Sequence, residues 1–237
     1  MEKLTGIKGI IFDYGGTIDS RGEHWSEVIF RGYAAAGIAI GRPEFREAYV
    51  YAERELARTL HILPHHNFRD LMEIKIEIEL QYLAGKGLFA PQDIAEKSKE
   101  AARYCYESAK ECIEEARPVI EALGKKYPLV LVSNFYGNVE SVLKDFGIDS
   151  YFRNIIESAV VKVRKPDPKI FMLGVEALGL MPEEVAVIGD SYTKDIVPAR
   201  SIGCKTLWLK GKGWTEDEDS RTDDCMITTL REALDVL

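Results

Sequence analysis

The stretch Gly9-Ile10-Ile11-Phe12-Asp13-Tyr14-Gly15-Gly16-Thr17-Ile18-Asp19 decides how the chain reads. The apolar run Ile7 to Phe12 is short enough for a strand buried on both faces. It stops at the carboxylate of Asp13, and Gly15 and Gly16 follow closely. Asp13 is thereby delivered to the carboxyl end of a strand, where open α/β folds hold their ligands. The two glycines permit a tight turn and a close approach of ligand to backbone. Thr17 adds a hydroxyl beside them.

Beyond Asp19 the period turns helical. Trp25, Val28, Ile29 and the stretch Gly32 to Ala36 carry helical spacing, and Gly37 is a stop. Pro43 suits the first turn of a second helix running through Phe45, Tyr49 and Leu56 towards Leu60. A break follows at Leu63-Pro64-His65-His66. A third helix is predicted from about Arg69 to Leu83, ended by Gly85 and Gly87. A fourth opens at Pro91 and carries Ile94, Ala101, Tyr104, Cys105 and Ser108. Residues 20–114 thus read as a small, all-helical bundle.

After residue 114 strands and helices alternate. Pro118 to Lys125 reads as a helix, Pro128 to Ser133 as a buried strand and Val139 to Phe146 as a helix closed by Gly147. Asn154 to Glu157 is a short strand, Pro168 to Leu178 a helix ended by Gly179, and Val185 to Ile188 a strand running into Gly189-Asp190. Asp195 to Ile202 is a helix, Lys205 to Leu209 and Cys225 to Ile227 are strands, and a last helix starts at Thr228. The acidic run Glu216-Asp217-Glu218-Asp219 reads as a solvated loop. This alternation predicts an α/β fold with a parallel sheet and helices on both faces. The expected organisation is a Rossmann-like core, residues 1–19 and 115–237, interrupted by a helical domain, residues 20–114.

Composition narrows the partners. With 31 Lys and Arg against 39 Asp and Glu, the net charge of −8 and the lack of a basic cluster argue against nucleic acid or an anionic membrane as partner. A small anionic substrate stays open, because only the local field of a cleft matters to it. Cys105, Cys112, Cys204 and Cys225 show no CxxC spacing and read as free thiols of a reducing cytoplasm. Met1 to Gly6 does not read as a signal peptide. No apolar run approaches the roughly 20 residues that span a bilayer. The expectation is a cytoplasmic protein; nothing in the sequence sets its oligomeric state.

Three more segments stand at or just after predicted strands: Ser133-Asn134, then Arg164-Lys165-Pro166-Asp167-Pro168-Lys169-Ile170-Phe171, then Ile188-Gly189-Asp190-Ser191-Tyr192-Thr193-Lys194-Asp195. With the first stretch they form an ordered set of four that resembles the motifs of the haloacid dehalogenase (HAD) superfamily, most of whose members are phosphatases. The resemblance spans the whole chain and implies that the helical insertion is a cap over the active site. It further implies a Mg2+-dependent phosphatase acting on a small phosphorylated metabolite. Asp13 would be the nucleophile that becomes an aspartyl phosphate. The Asp13 carboxylate, the Gly15 carbonyl and the Asp190 carboxylate would hold Mg2+, an ion that prefers oxygen ligands, with Asp195 beside them. Thr17, Ser133, Asn134 and Lys165 would hold the phosphate, and Lys165 would also balance the acidic cluster.

One departure stands out. The family's first motif carries a second Asp where this chain has Gly15. That Asp protonates the leaving group and then activates water, a role typically worth about 10²–10⁴-fold. Glycine keeps the carbonyl but cannot exchange a proton. Three readings follow. The missing group could come from elsewhere, with His24 first and His65 or His66 next. The reaction could be cleavage of a C–P or C–halogen bond, for which a phosphonate-cleaving relative uses a cap lysine; Lys75, Lys86, Lys97, Lys99 and Lys110 are the candidates. Or the chain could be a catalytically impaired binding or regulatory protein.

Overall fold

The computed structural model describes residues 3–237; Met1 and Glu2, part of the expected core segment and of the N-terminus read as lacking a signal peptide, lie outside the described residues. Its centre is a sheet of six strands: β1 (Gly9–Phe12), β2 (Leu129–Ser133), β3 (Asn154–Glu157), β4 (Val185–Gly189), β5 (Lys205–Leu209) and β6 (Met226–Ile227). All neighbours pair in parallel in the order β3-β2-β1-β4-β5-β6. β1 sits between β2 and β4, so the chain winds outward first to one side and then to the other. The carboxyl ends of β1, β2 and β4 therefore border a topological switch point, the crevice where such sheets hold ligands.

Both faces of the sheet are covered, as the unbroken apolar strands require. Ile10 and Phe12 point into one core with Leu131, Ile188 and Leu207. Ile11, one residue between them, points into the other with Val130, Val132, Val187, Ile170 and Phe171. This is the period-two alternation of a strand.

Four helices lie between β1 and β2: α1 (Trp25–Ala35), α2 (Arg42–Arg58), α3 (Phe68–Gly85) and α4 (Ile94–Gly124). A capping box between Asn67 and Asp70 starts α3. The rest of the chain adds α5 (Val139–Asp145), α6 (Ser158–Val161), α7 (Lys169–Leu178), α8 (Val197–Ser201), α9 (Glu216–Ser220) and α10 (Ala233–Val236). No described helix is long and apolar enough to cross a membrane.

Three expectations about segments change. The separate helix expected at Pro118 is the last part of α4, which continues through that proline. A proline inside a helix forfeits one i→i−4 bond. Here Val119, Ile120 and Leu123 bury their side chains beyond it and keep the helix going. The boundary drawn at 114/115 thus falls inside one continuous helix. Second, the acidic run is not a loop but the body of α9, started by the Thr215 side chain accepting from Glu218 N. Acidic residues suit a first helical turn. Third, Asp195 does not open a helix. It lies within a π-helical turn, Tyr192–Ile196, that precedes α8.

Candidate active site

Asp13 follows the last residue of β1, and its backbone N–H donates to Ile188 O on β4 at 2.9 Å. Its carboxylate is almost wholly buried. Oδ1 accepts from Lys165 Nζ at 2.6 Å and Oδ2 from the Thr17 hydroxyl at 3.2 Å. The same hydroxyl lies 3.2 Å from Asp190 Oδ1, just past β4. Lys165 also donates to Asp195 Oδ1 at 2.7 Å, and Asp195 Oδ2 accepts from Ser191 N at 3.0 Å. Asp13, Asp190 and Asp195, distant in sequence, each bring one carboxylate oxygen within 4.8 Å of the others.

Three carboxylates and one ammonium leave the cluster short of positive charge. Burial opposes the charge of Lys165, yet Asp13 and Asp195 outweigh it and raise its pKa. Burial also pushes the Asp190 carboxyl well up, helped by Asp13 and Asp195. The Asp195 carboxyl is likewise raised by burial, against the pull of Lys165. A hard cation among oxygen donors would relieve this repulsion. The donor set, with the backbone of Gly15 also lining the cleft, fits Mg2+.

The glycines have different tasks. Gly16 has φ +98°, and a Cβ there would run into the Asp190 carboxylate. The backbone must be bare at this point for the two motifs to meet. At Gly15 a Cβ would meet nothing within 4 Å. The space next to its carbonyl is open.

Some expected phosphate-binding groups are engaged elsewhere. The Thr17 hydroxyl is turned onto Asp13 and Asp190 rather than outward. The Asn134 side chain clamps the Lys165 backbone, donating to Lys165 O at 3.1 Å and accepting from Lys165 N at 2.9 Å. Ser133 ends β2 and lines the cleft with Lys165. Asp19, at the end of the first motif, accepts from Gly16 N at 2.7 Å and from Trp25 Nε1 at 3.0 Å. It thus ties the Asp13 loop to α1. Burial lifts its carboxyl to about 7, against those two hydrogen bonds.

His24 also lines the cleft, but its Nδ1 caps α1, accepting from Ser26 N at 3.2 Å. Its ring packs 5.0 Å from Trp214 and 5.8 Å from Tyr49, centroid to centroid. Burial, then Lys194 and Lys75, lowers its pKa to about 4. At neutral pH it is an uncharged imidazole with Nδ1 already occupied. His65 and His66 are not among the lining residues.

The cleft, about 540 Å³, is closed on its helical side by residues that sequence reasoning did not single out. Glu53 on α2 and Lys75 on α3 form an ion pair, and Tyr136, after β2, donates to the same Glu53 oxygen at 2.9 Å. Among the cap lysines weighed for a Schiff base, Lys75 alone is a lining residue of the cleft. A signal existed: Lys75 falls in the buried register of α3 with Leu71, Met72 and Ile76. A charge on an apolar stripe asks for a partner. That the partner is Glu53 needed the fold. Trp214 arrives from the loop after β5, which α9 ties down: Glu218 accepts from Trp214 N and Asp219 from Gly213 N, each at 2.7 Å.

A parallel sheet with buried carboxylates gathered at its switch point defines a class, the doubly wound α/β proteins that hold their ligands at the carboxyl edge of the sheet. Within that class, the family model for haloacid dehalogenase-like hydrolases matches residues 7–203, and the chain belongs to that family. Among curated relatives, a glyceraldehyde 3-phosphate phosphatase of Pyrococcus furiosus is 38% identical over 92 residues, 38% of each chain. A phosphoserine phosphatase of Thermus thermophilus is 30% identical over 113 residues, 47% of this chain and 45% of that one. Both matches span less than half of the relative's length. Among solved structures, a HAD-hydrolase from Bacillus subtilis bound to magnesium superposes with a TM-score of 0.63 at 22% identity, over 98% of both chains. At that identity the likeness concerns the fold.

Proposed function

We propose that the chain is a Mg2+-dependent phosphatase of small phosphorylated metabolites, working through an aspartyl phosphate on Asp13. The observation that carries this is the Asp13–Lys165–Asp195 bridge with Asp190 beside it: a nucleophile, a phosphate-seeking ammonium and an oxygen donor set at one strand edge. Asp13, Asp190 and the Gly15 carbonyl would hold Mg2+. Bound there, it would neutralise the charge that sets carboxylate and phosphate against each other. Asp195 has both oxygens engaged; it orients Lys165 and the Ser191 amide.

The chain's own groups then divide the work. Lys165, Ser133 and the backbone N–H of Asn134 take phosphate oxygens. An Asp13 oxygen attacks phosphorus, the bond to the leaving oxygen breaks, and that oxygen must gain a proton. Water then attacks phosphorus, the Asp13–phosphorus bond breaks, and phosphate leaves. Gly15 supplies neither proton transfer, and His24, neutral and spent on a helix cap, is poorly suited to them. Both half-reactions are therefore slowed, and an aspartyl phosphate, once formed, is expected to persist.

The helices of residues 20–114 would act as the cap, closing over the cleft to exclude water. Glu27, accepting from Lys212, and Asn138, donating to His66 O, join that segment to the sheet side in this conformation. Free thiols support a cytoplasmic setting. The Schiff-base alternative asks for an unprotonated cap lysine. Burial alone would free Lys75, but Glu53, Tyr136 and Tyr49 outweigh it and hold the amine charged.

The test is phosphate release from a panel of phosphomonoesters with and without Mg2+. Turnover that needs Mg2+ and vanishes in Asp13→Asn is expected. Turnover surviving in Asp13→Asn, or insensitive to Mg2+ removal, contradicts the reading.

A further inference from the structure

The ion pair on the helical wall is built asymmetrically. The Lys75 side chain is 3% exposed and lies against the Tyr49 ring, its Nζ 4.2 Å from the centroid. Glu53 is 30% exposed and belongs to the cleft surface. Both of its hydrogen bonds, from Lys75 and Tyr136, converge on Oε1. Oε2 has no partner among the described residues. Burial opposes the charge of Glu53, but Lys75 and Tyr136 keep its pKa below the ordinary value. The result is an ionised acceptor, fixed by two donors from different elements, with one oxygen left for whatever fills the cleft.

We propose that Glu53 is the specificity-determining residue of this cleft, its free Oε2 accepting a hydrogen bond from the leaving group of the substrate. This rests on the phosphatase reading and names its substrate class: small phosphomonoesters that carry a hydroxyl or amino group away from the phosphate. An acceptor oxygen rewards such donors and repels a carboxylate or second phosphate at the same place. Lys75 and Tyr136 are positioning residues that act through Glu53. Helices α2 and α3 carry Glu53 and Lys75, and the turn after β2 adds Tyr136, so the acceptor that would choose the substrate sits on the segment that would close over it.

The experiment compares glycerol phosphate, 2-aminoethyl phosphate, ethyl phosphate and phosphoglycolate in two ways: as kcat/KM with Mg2+, and as binding to the Asp13→Asn protein by calorimetry. The expected order places the hydroxyl or amino ester above ethyl phosphate, and phosphoglycolate last. In Glu53→Gln the preference for the donor-bearing ester over ethyl phosphate is expected to fall roughly 10- to 100-fold, the range of one hydrogen bond to a charged acceptor. The glycerol and aminoethyl arms tell a hydroxyl from an ammonium. The double variant Glu53→Gln/Lys75→Met, which leaves no buried ammonium unpaired, repeats the comparison in a protein without that burden. A preference unchanged in both variants overturns the proposal, as does a wild type that favours phosphoglycolate. Selective binding without turnover would uphold Glu53 and sink the phosphatase reading; turnover without selectivity would do the reverse.

Discussion

In the proposed mechanism, position 15 is the residue on which the rate depends. The open space over Gly15 and its permissive backbone mean that a side chain there is missing rather than excluded. Gly15→Asp is expected to fold and to raise turnover of phosphomonoesters about 10²–10⁴-fold, the usual worth of a placed acid-base group. Steady-state kcat beside the wild type measures it; an unchanged or lower kcat in a folded variant contradicts the view that a proton carrier is what the site lacks. Gly16 is the opposite case, held bare by Asp190. At this scale the sequence was informative wherever a residue type stood at a strand end: Asp13, Ser133 and Asp190 all reach the crevice, and Lys165 meets Asp13 there. It was uninformative about where a side chain turns. Thr17 was read as a phosphate ligand, yet its hydroxyl bridges carboxylates, and the Asn134 side chain, next to the backbone amide expected to meet phosphate, clamps a backbone. Spacing cannot reveal such choices, because they depend on neighbours from other segments, Asp190 for Thr17 and Lys165 for Asn134.

Elements show the same division between what period reveals and what contacts decide. The strands were legible because apolar runs of four or five residues between turn signals allow little else. The cap of α1 was not. His24, singled out for its chemistry, is the helix's N-cap. His24→Ala is expected to lose about 1 kcal/mol of stability, the usual worth of a cap, and His24→Asn to keep most of it. The pH dependence has a definite sign. The folded pKa of about 4 lies below the ordinary 6.5. The folded state therefore refuses a proton that the unfolded chain accepts. The contribution is intact above pH 6.5 and is lost as pH falls through 4. Melting temperatures of the three proteins between pH 4 and 8 check this, with the asparagine variant expected to be less sensitive to acid. A wild-type advantage over the asparagine variant that grows on acidification across that window contradicts it. Pro118 and the acidic run misled for a related reason. Proline reads as a helix start and clustered carboxylates as a loop, but burial beyond Pro118 and a Thr215 cap carry helix through both.

Across the whole molecule, the sheet gathers the reacting groups and the helical segment supplies the wall opposite them. The parallel α/β architecture with an inserted run of helices was legible from the change of period alone. The composition of the wall was not, since Glu53, Lys75, Tyr136 and Trp214 come from four separate elements and meet only after folding. Glu53 and Lys75 sit on faces that a period-based reading assigns to the core, so their charges carry meaning only once the cleft is known. In the proposed mechanism rate and selectivity reside in different parts of the molecule: the sheet edge would attack phosphorus, and the helices would select the ester. The central claim is that Asp13 becomes phosphorylated. The most direct measurement is an acid quench of a single turnover with Mg2+, followed by mass analysis of the intact chain and its Asp13 peptide. The expected result is one phosphoryl group per chain on Asp13, persisting because Gly15 does not activate water, and absent from Asp13→Asn. Phosphate release with no phosphorylated chain at any time, or a phosphoryl group on another residue, would contradict it.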